Sequence, residues 1–301
     1  MKLKNNSEWR TLILITFVYV GWLLLLWNPI GLPVLIIILF LIPLITLHSS
    51  LQHECLHGHP FIAQRWNDLL VALPLGIYVP YHRFKESHMK HHHDSELTDP
   101  YEDPESWYKT PQQWQKLSAI SQKLLKLNNT LIGRVTLGPI IGLVGFIRAE
   151  LKQPHTYHLW AKHLLAVVLL LLAVSFFTDL TPFHYLFAAY IGYSLLTIRT
   201  FLEHQADEDA RARTVLIEDS GLLSKLFLNN NLHAVHHAYP QLPWYELPHI
   251  YKKNRQRFMA LNHGYYFQNY GEVWRKFAFC TKESVVHPVL KSNQTKKGAA
   301  L

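Results

Sequence analysis

His233-Ala-Val-His236-His237 and His88-Met-Lys-His91-His92 share one pattern, HxxHH. On a helix, positions i, i+3 and i+4 fall on one face, so each triplet is expected to aim three imidazoles at one point. His53-Glu-Cys-Leu-His57 adds two more at i and i+4. These eight imidazoles exceed the four ligands that fill a tetrahedral zinc site, so two metals is the simpler reading. The ligand type does not name the metal, because iron, copper, zinc and nickel all accept imidazole.

Outward from the first pair, no Asp, Glu, Lys or Arg occurs between Thr11 and His53. A run of that length suffices for two bilayer crossings. The turn Asn28-Pro-Ile-Gly-Leu-Pro33 divides it into spans at 11–27 and 34–52. A second pair, 160–178 and 182–202, is joined by Thr178-Asp-Leu-Thr-Pro182. Neither turn holds Lys or Arg, whereas the leader carries Lys2, Lys4 and Arg10. The positive-inside bias therefore places the N-terminus and the open ends of both hairpins in the cytoplasm. A cleaved secretory signal is disfavoured, since the first apolar run passes into a second with no small-residue cleavage site.

The expected fold is an all-α integral membrane protein. It has four transmembrane helices in two hairpins and a cytosolic helical cap carrying the histidines, one domain over 1–290 with a disordered tail over 291–301. Residues 66–80 are apolar but interrupted by Pro74 and Gly76, too short to span. The stretch 130–147 is expected at the membrane interface or along a substrate tunnel. A full crossing there would move the later histidines to the other side.

The net charge of +8 comes with no zinc-finger, homeodomain or RNA-binding signature, so basic flanks of membrane spans explain it better than nucleic acid. The two cysteines, Cys55 and Cys280, exclude a disulfide scaffold and an internal four-thiolate iron–sulfur cluster. Electrons for any redox reaction must then come from another protein. The basic run Lys252-Lys-Asn-Arg-Gln-Arg257 offers a place for an acidic donor or for anionic headgroups. Trp22, Trp27, Phe40 and Tyr193 are candidates to line a tunnel or to anchor span ends.

The ordered set HxxxH, HxxHH, HxxHH among long apolar segments resembles the membrane fatty acid desaturase superfamily of di-iron enzymes, over roughly Leu12 to Arg257. His57-Gly-His-Pro60, Pro80-Tyr-His-Arg83, the stretch 97–106 and the stretch 239–248 look more narrowly like a bacterial branch of it. The resemblance implies two ferrous ions held by His53, His57, His88, His91, His92, His233, His236, His237 and a ninth ligand after the last span, where Glu203-His204 stands. Acyl-CoA desaturases of the superfamily place an asparagine four residues before that ligand; here the residue is Thr200. The resemblance further implies O2 as co-substrate, a fatty acyl or lipid substrate, and a ferredoxin-, rubredoxin- or cytochrome-like donor with its reductase. The setting implied is a bacterial inner membrane with the active site cytoplasmic. Desaturation is the expected reaction, and hydroxylation or ketone formation the alternative. An unactivated methylene C–H bond is beyond acid–base groups, which is why such chemistry is handed to a metal.

Glu54, Thr200, Glu203 and Asn231 are expected around the ligating rings, Glu54 by fixing a tautomer and Asn231 by capping the helix of His233. The acidic run 94–105 is a similar candidate beside the second triplet. His48, His163 and His287 read as structural, and His59 and His93, which lie beside the boxes, are left out of the ligand set. Two rivals stand outside the desaturase class. His53-Glu-Cys-Leu-His57 matches the HExxH helix of zinc proteases, but that reading leaves both HxxHH triplets unexplained. A metal transporter or sensor would place ligands near the middle of its spans, whereas these lie beyond span ends.

Overall fold

A computed structural model of the protein describes residues 8–93 and 97–289. The expected tail at 291–301 and Asp94–Glu96 of the acidic run lie outside the described residues. The described residues are mainly helical. In order it forms α1 (Trp9–Trp27), α2 (Val34–Leu56), α3 (Gln64–Leu70), α4 (Tyr81–His93), α5 (Pro111–Gln115), α6 (Ala119–Asn128) and α7 (Leu131–Glu150). There follow α8 (Tyr157–Phe177), α9 (Pro182–Thr200), α10 (Leu222–Leu226), α11 (His233–Ala238), α12 (Leu247–Leu261) and α13 (Tyr270–Phe277). One parallel pair, β1 (Leu216–Ile217) and β2 (Tyr266–Phe267), is the only sheet among the described residues.

Asn28 ends α1 in the left-handed conformation, at φ 49°, which asparagine tolerates better than most residues. Its side chain closes the turn, accepting from Leu32 N at 2.6 Å and donating to Leu32 O at 3.2 Å. Helix α2 has 23 residues. At 1.5 Å per residue it is roughly 35 Å long, more than the ~30 Å hydrocarbon layer, so its last turn can carry His53 and His57 past the membrane edge.

The chain divides into two compact units. The first holds the described residues up to Lys85, Ile140–Leu196 and Leu226–Leu228; the second holds the described residues of Glu86–Pro139, Thr197–Lys225 and those from Asn229 onward. In the first unit α9 lies along α1 and α2. Trp22 Nε1 donates to Tyr185 OH at 3.0 Å, Tyr185 OH donates to Leu75 O at 3.0 Å, and Thr46 Oγ1 donates to Gly192 O at 3.0 Å. A Cβ on Gly192 would stand 3.1 Å from the Ile45 side chain, so any larger residue would have to push that side chain aside by a few tenths of an ångström. Trp22 and Tyr193 turn inward, Tyr193 stacking on Tyr78 at 4.2 Å, while Trp27 and Phe40 face outward. Arg83 and Glu150 form a buried two-bonded pair at 2.7 and 2.9 Å, and Trp160 Nε1 adds a bond to the same carboxylate at 2.9 Å.

In the second unit Leu216, Leu232, Val235, Leu247, Tyr251 and Phe258 form a buried core around β1, α11 and α12. Helix α11 has only six residues, too few to persist by itself. A tertiary bond holds its start, Ala234 N donating to Val215 O at 3.0 Å, while His236 N closes the first turn on Leu232 O at 3.1 Å.

Four helices among the described residues are long and apolar enough to cross a membrane: Trp9–Trp27, Val34–Leu56, Leu131–Glu150 and the run Pro154–Phe177. The set differs from the expected spans in one member. Despite Pro139 and its glycines, α7 is continuous over 20 residues, and it satisfies the criterion that α9 does not.

Candidate metal centre

The two triplets come together in the second unit, but not as a shared helix face suggests. Each is divided. His91, His204, His233 and His237 form one group whose ligating nitrogens all lie within 4.8 Å of one another, and His88, His92 and His236 belong to another gathered as closely. The expectation that HxxHH aims all three rings at one point is therefore corrected. On a helix of 3.6 residues per turn, i+3 falls about 60° short of the direction of i and i+4 about 40° beyond it, so the adjacent histidines diverge by about 100°. The second triplet gives two rings to one group and one to the other; the third triplet does the reverse.

Within the four-imidazole group, His91 Nε2 and His204 Nε2 are 2.9 Å apart, and His233 Nε2 and His204 Nε2 are 3.0 Å apart. Within the other, His92 Nε2 stands 3.0 Å from His88 Nε2 and 3.1 Å from His236 Nε2. The opposite ring nitrogens decide what these contacts are. His91 Nδ1 lies 2.8 Å from Asp103 Oδ1, and His88 Nδ1 lies 2.9 Å from Glu105 Oε1. His233 Nδ1 faces Asn230 Oδ1 at 3.2 Å, with the asparagine turned that way by donating Nδ2 to Glu203 Oε1 at 3.0 Å. A carboxylate or an amide oxygen only accepts, so Nδ1 carries the hydrogen in all three rings and each neutral imidazole presents a lone pair at Nε2. His204 Nε2 thus faces two lone pairs, and a single hydrogen satisfies one at most. His237 Nε2 is buried with no hydrogen-bond partner among the described residues.

A metal cation resolves this. Nitrogens 3 Å apart are what bonds of about 2.1 Å to one ion produce, and neutral rings oriented by carboxylates are the usual form of ligating histidine. The residues therefore fit a metal. Charge agrees for most of the group: burial first, then neighbouring imidazoles, holds His204, His233 and His237 well below the ordinary histidine value. Burial and His88 and His91 lower His92 to about 2. His91 differs, for although burial lowers it, Glu105, Asp103 and Glu203 raise it to about 9.

His53 and His57 stand at the C-terminal end of α2 in the first unit, ring centroids 4.9 Å apart. Beside them Glu54 lies 4.0 Å from His59 Nε2, and His59 Nδ1 meets Glu8 at 2.7 Å. Of the other supporting residues expected, Glu203 acts through Asn230 and pairs with Arg199 at 2.8 Å. Asn231 is turned away from the rings and donates to Ile217 O at 2.6 Å; its neighbour Asn230 has the place beside His233, and Leu232 caps α11 without a side-chain bond. Thr200 Oγ1 turns back to Thr197 O at 3.5 Å. His93 bonds Met89 O at 2.6 Å, His48 meets Tyr19 OH at 3.2 Å, and His163 meets Ile77 O at 3.3 Å. Which carboxylates of the acidic run would serve the rings was not legible from spacing alone, nor was Asn230, since an asparagine three residues before a ligand has no distinctive signature.

Fold and site together define an all-α membrane protein with clustered imidazoles suited to metal. The chain matches the fatty acid desaturase family over residues 26–270, most of its length, and belongs to that family of oxidoreductases. No curated protein matches it.

Proposed function

We propose that the protein is an O2-dependent di-iron oxidoreductase that desaturates a fatty acyl or lipid chain with electrons from an external donor. The observation that carries this is the facing of lone-pair nitrogens at His91, His204 and His233 within a family of lipid oxidoreductases. Two iron ions would supply the redox chemistry that removes hydrogen from an unactivated methylene. His91, His204, His233 and His237 would hold one. His88, His92 and His236 would contribute to holding the other; the family resemblance also counts His53 and His57 of the first box among nine ligands.

The protein's own groups orient the rings, and burial keeps most of them neutral. Asp103, Glu105 and Asn230 fix the hydrogen on Nδ1, and burial keeps competing protons off His204, His233 and His237. We further infer one desaturase domain over 1–290, with both termini and the metal centre cytoplasmic in a bacterial inner membrane. The spans are α1, α2, α8 and α9. His91 and His204 share one site, so between them the chain crosses the membrane an even number of times. The packing of α9 on α1 and α2 favours α8 and α9 as that pair, leaving α7 outside the hydrocarbon layer. Hydroxylation remains the second reading, since the family covers hydroxylase-type oxidoreductases. Lipid mass spectrometry of cells with and without the protein tests the choice: loss of two hydrogens marks desaturation and gain of one oxygen marks hydroxylation. An unchanged lipid profile from a loaded enzyme with its donor would refute both.

A further inference from the structure

Past the last residue of the family match, residues 280–289 run back through the second unit. Lys282 N donates to Asn129 O at 2.8 Å, and Asn129 Nδ2 returns a bond to Glu283 O at 2.5 Å. With its backbone fixed in this way, Lys282 sends its ammonium to the carbonyl of Phe201 at 3.4 Å, to the carbonyl of His204, and to Glu283 Oε1 at 2.9 Å. Three residues further on, Val285 O accepts from Lys109 N at 2.9 Å and His287 N donates to Lys109 O at 3.0 Å. His287 Nε2 meets Thr98 Oγ1 at 3.1 Å, and Thr98 N donates to Asp103 Oδ2 at 2.8 Å. The other oxygen of that carboxylate orients His91.

One short stretch thus ties down both the backbone of His204 and the loop that presents Asp103. Those anchors serve the two rings whose Nε2 atoms face each other at 2.9 Å. His204 needs such an anchor. It follows the end of α9 and is tied into the chain by an isolated antiparallel bridge to Thr214, with no helix of its own. An ammonium suits the place because it carries three donors, matching two backbone carbonyls and one carboxylate.

We propose that the stretch Lys282–His287 is a positioning strap for the four-imidazole site. Lys282 sets His204 through its carbonyl, and the edge from Val285 to His287 sets Asp103 and through it His91. The inference rests on the reading that His91, His204, His233 and His237 hold a metal.

The test uses the full-length protein in detergent, loaded anaerobically with ferrous iron. Its readouts are iron per chain, resistance of that iron to a chelator, and the visible absorption of the cobalt-substituted protein. For K282M the expected result is one iron retained as in the parent and one released about 10- to 100-fold more readily, with an altered cobalt spectrum and partial restoration in K282R. T98V, which cuts the other anchor, should weaken the same iron and is read alone if K282M does not fold. Both irons held as tightly as in the parent, with the cobalt spectrum unchanged, would overturn the strap. His237→Ala separates the two ideas. If it leaves metal content unchanged, the metal reading itself fails; if it loses one iron while K282M and T98V lose none, only the strap does.

Discussion

His91 Nδ1 lies 2.8 Å from Asp103 Oδ1, and both side chains are closed to solvent. The carboxylate accepts the ring hydrogen and so commits Nε2 to the cluster. Asp103→Asn keeps the size but loses the charge, and an amide can present its donor to the ring. The iron of this site should then bind about 10- to 100-fold more weakly. Chelator competition on the purified protein measures this, and equal affinity would show that the dyad is only packing.

The division of each triplet makes a sharper claim. His237→Ala should cost the iron of the four-imidazole group, and His92→Ala the other, each variant retaining one iron per chain. Metal analysis of the two variants and of the double variant checks it. Loss of all iron from either single variant would mean that the two groups act as one site.

Much of this was legible in the sequence. Thr11 to His53, free of charge, forms the hairpin of α1 and α2, and the HxxHH runs form helices that bring imidazoles together. The allocation of rings was not read correctly, because sharing a face was treated as sharing a target. The 100° between adjacent residues held the answer. Asn230 and Lys282 were not legible because their roles come from chain segments far apart in sequence, Asn230 meeting Glu203 and Lys282 meeting His204. Helix α7 was set aside as a span because a crossing there would move the later histidines to the other side; that it is continuous over 20 residues was not legible past its glycines.

Topology is testable directly. In a background lacking Cys55 and Cys280, a cysteine at Lys152 should react with a membrane-impermeant maleimide only from the cytoplasmic side, and one at Asp179 only from outside. The reverse at Lys152 would show that α7 crosses.

The Arg83–Glu150 pair is buried, with side chains 5% and 6% exposed. Removing one partner takes the bonded counter-charge from the other, so R83M or E150Q should lose about 3–5 kcal/mol. R83M/E150L should recover most of it. Thermal unfolding in detergent compares the three, and singles no less stable than the double variant would contradict the reading.

Glu218 gives a pH signature. Arg255 first, aided by Tyr251 and Tyr266 through hydrogen bonds, holds its carboxyl down to about 2 against an ordinary 4.5. A folded-state value below the unfolded one stabilises above pH 4.5 and loses that stabilisation as pH falls through 2. Arg255 is 47% exposed, so solvent screening limits the effect to about 1 kcal/mol. The parent should melt higher than E218Q near neutrality, and the gap should narrow as pH falls below 4.5. A gap independent of pH would assign the difference to packing.

Metal content of the purified, active protein is the most direct measure of the central claim. The account predicts two irons per chain, bound without sulfide, with activity rising in step with the second iron. One zinc per chain and no iron in an active sample would contradict it.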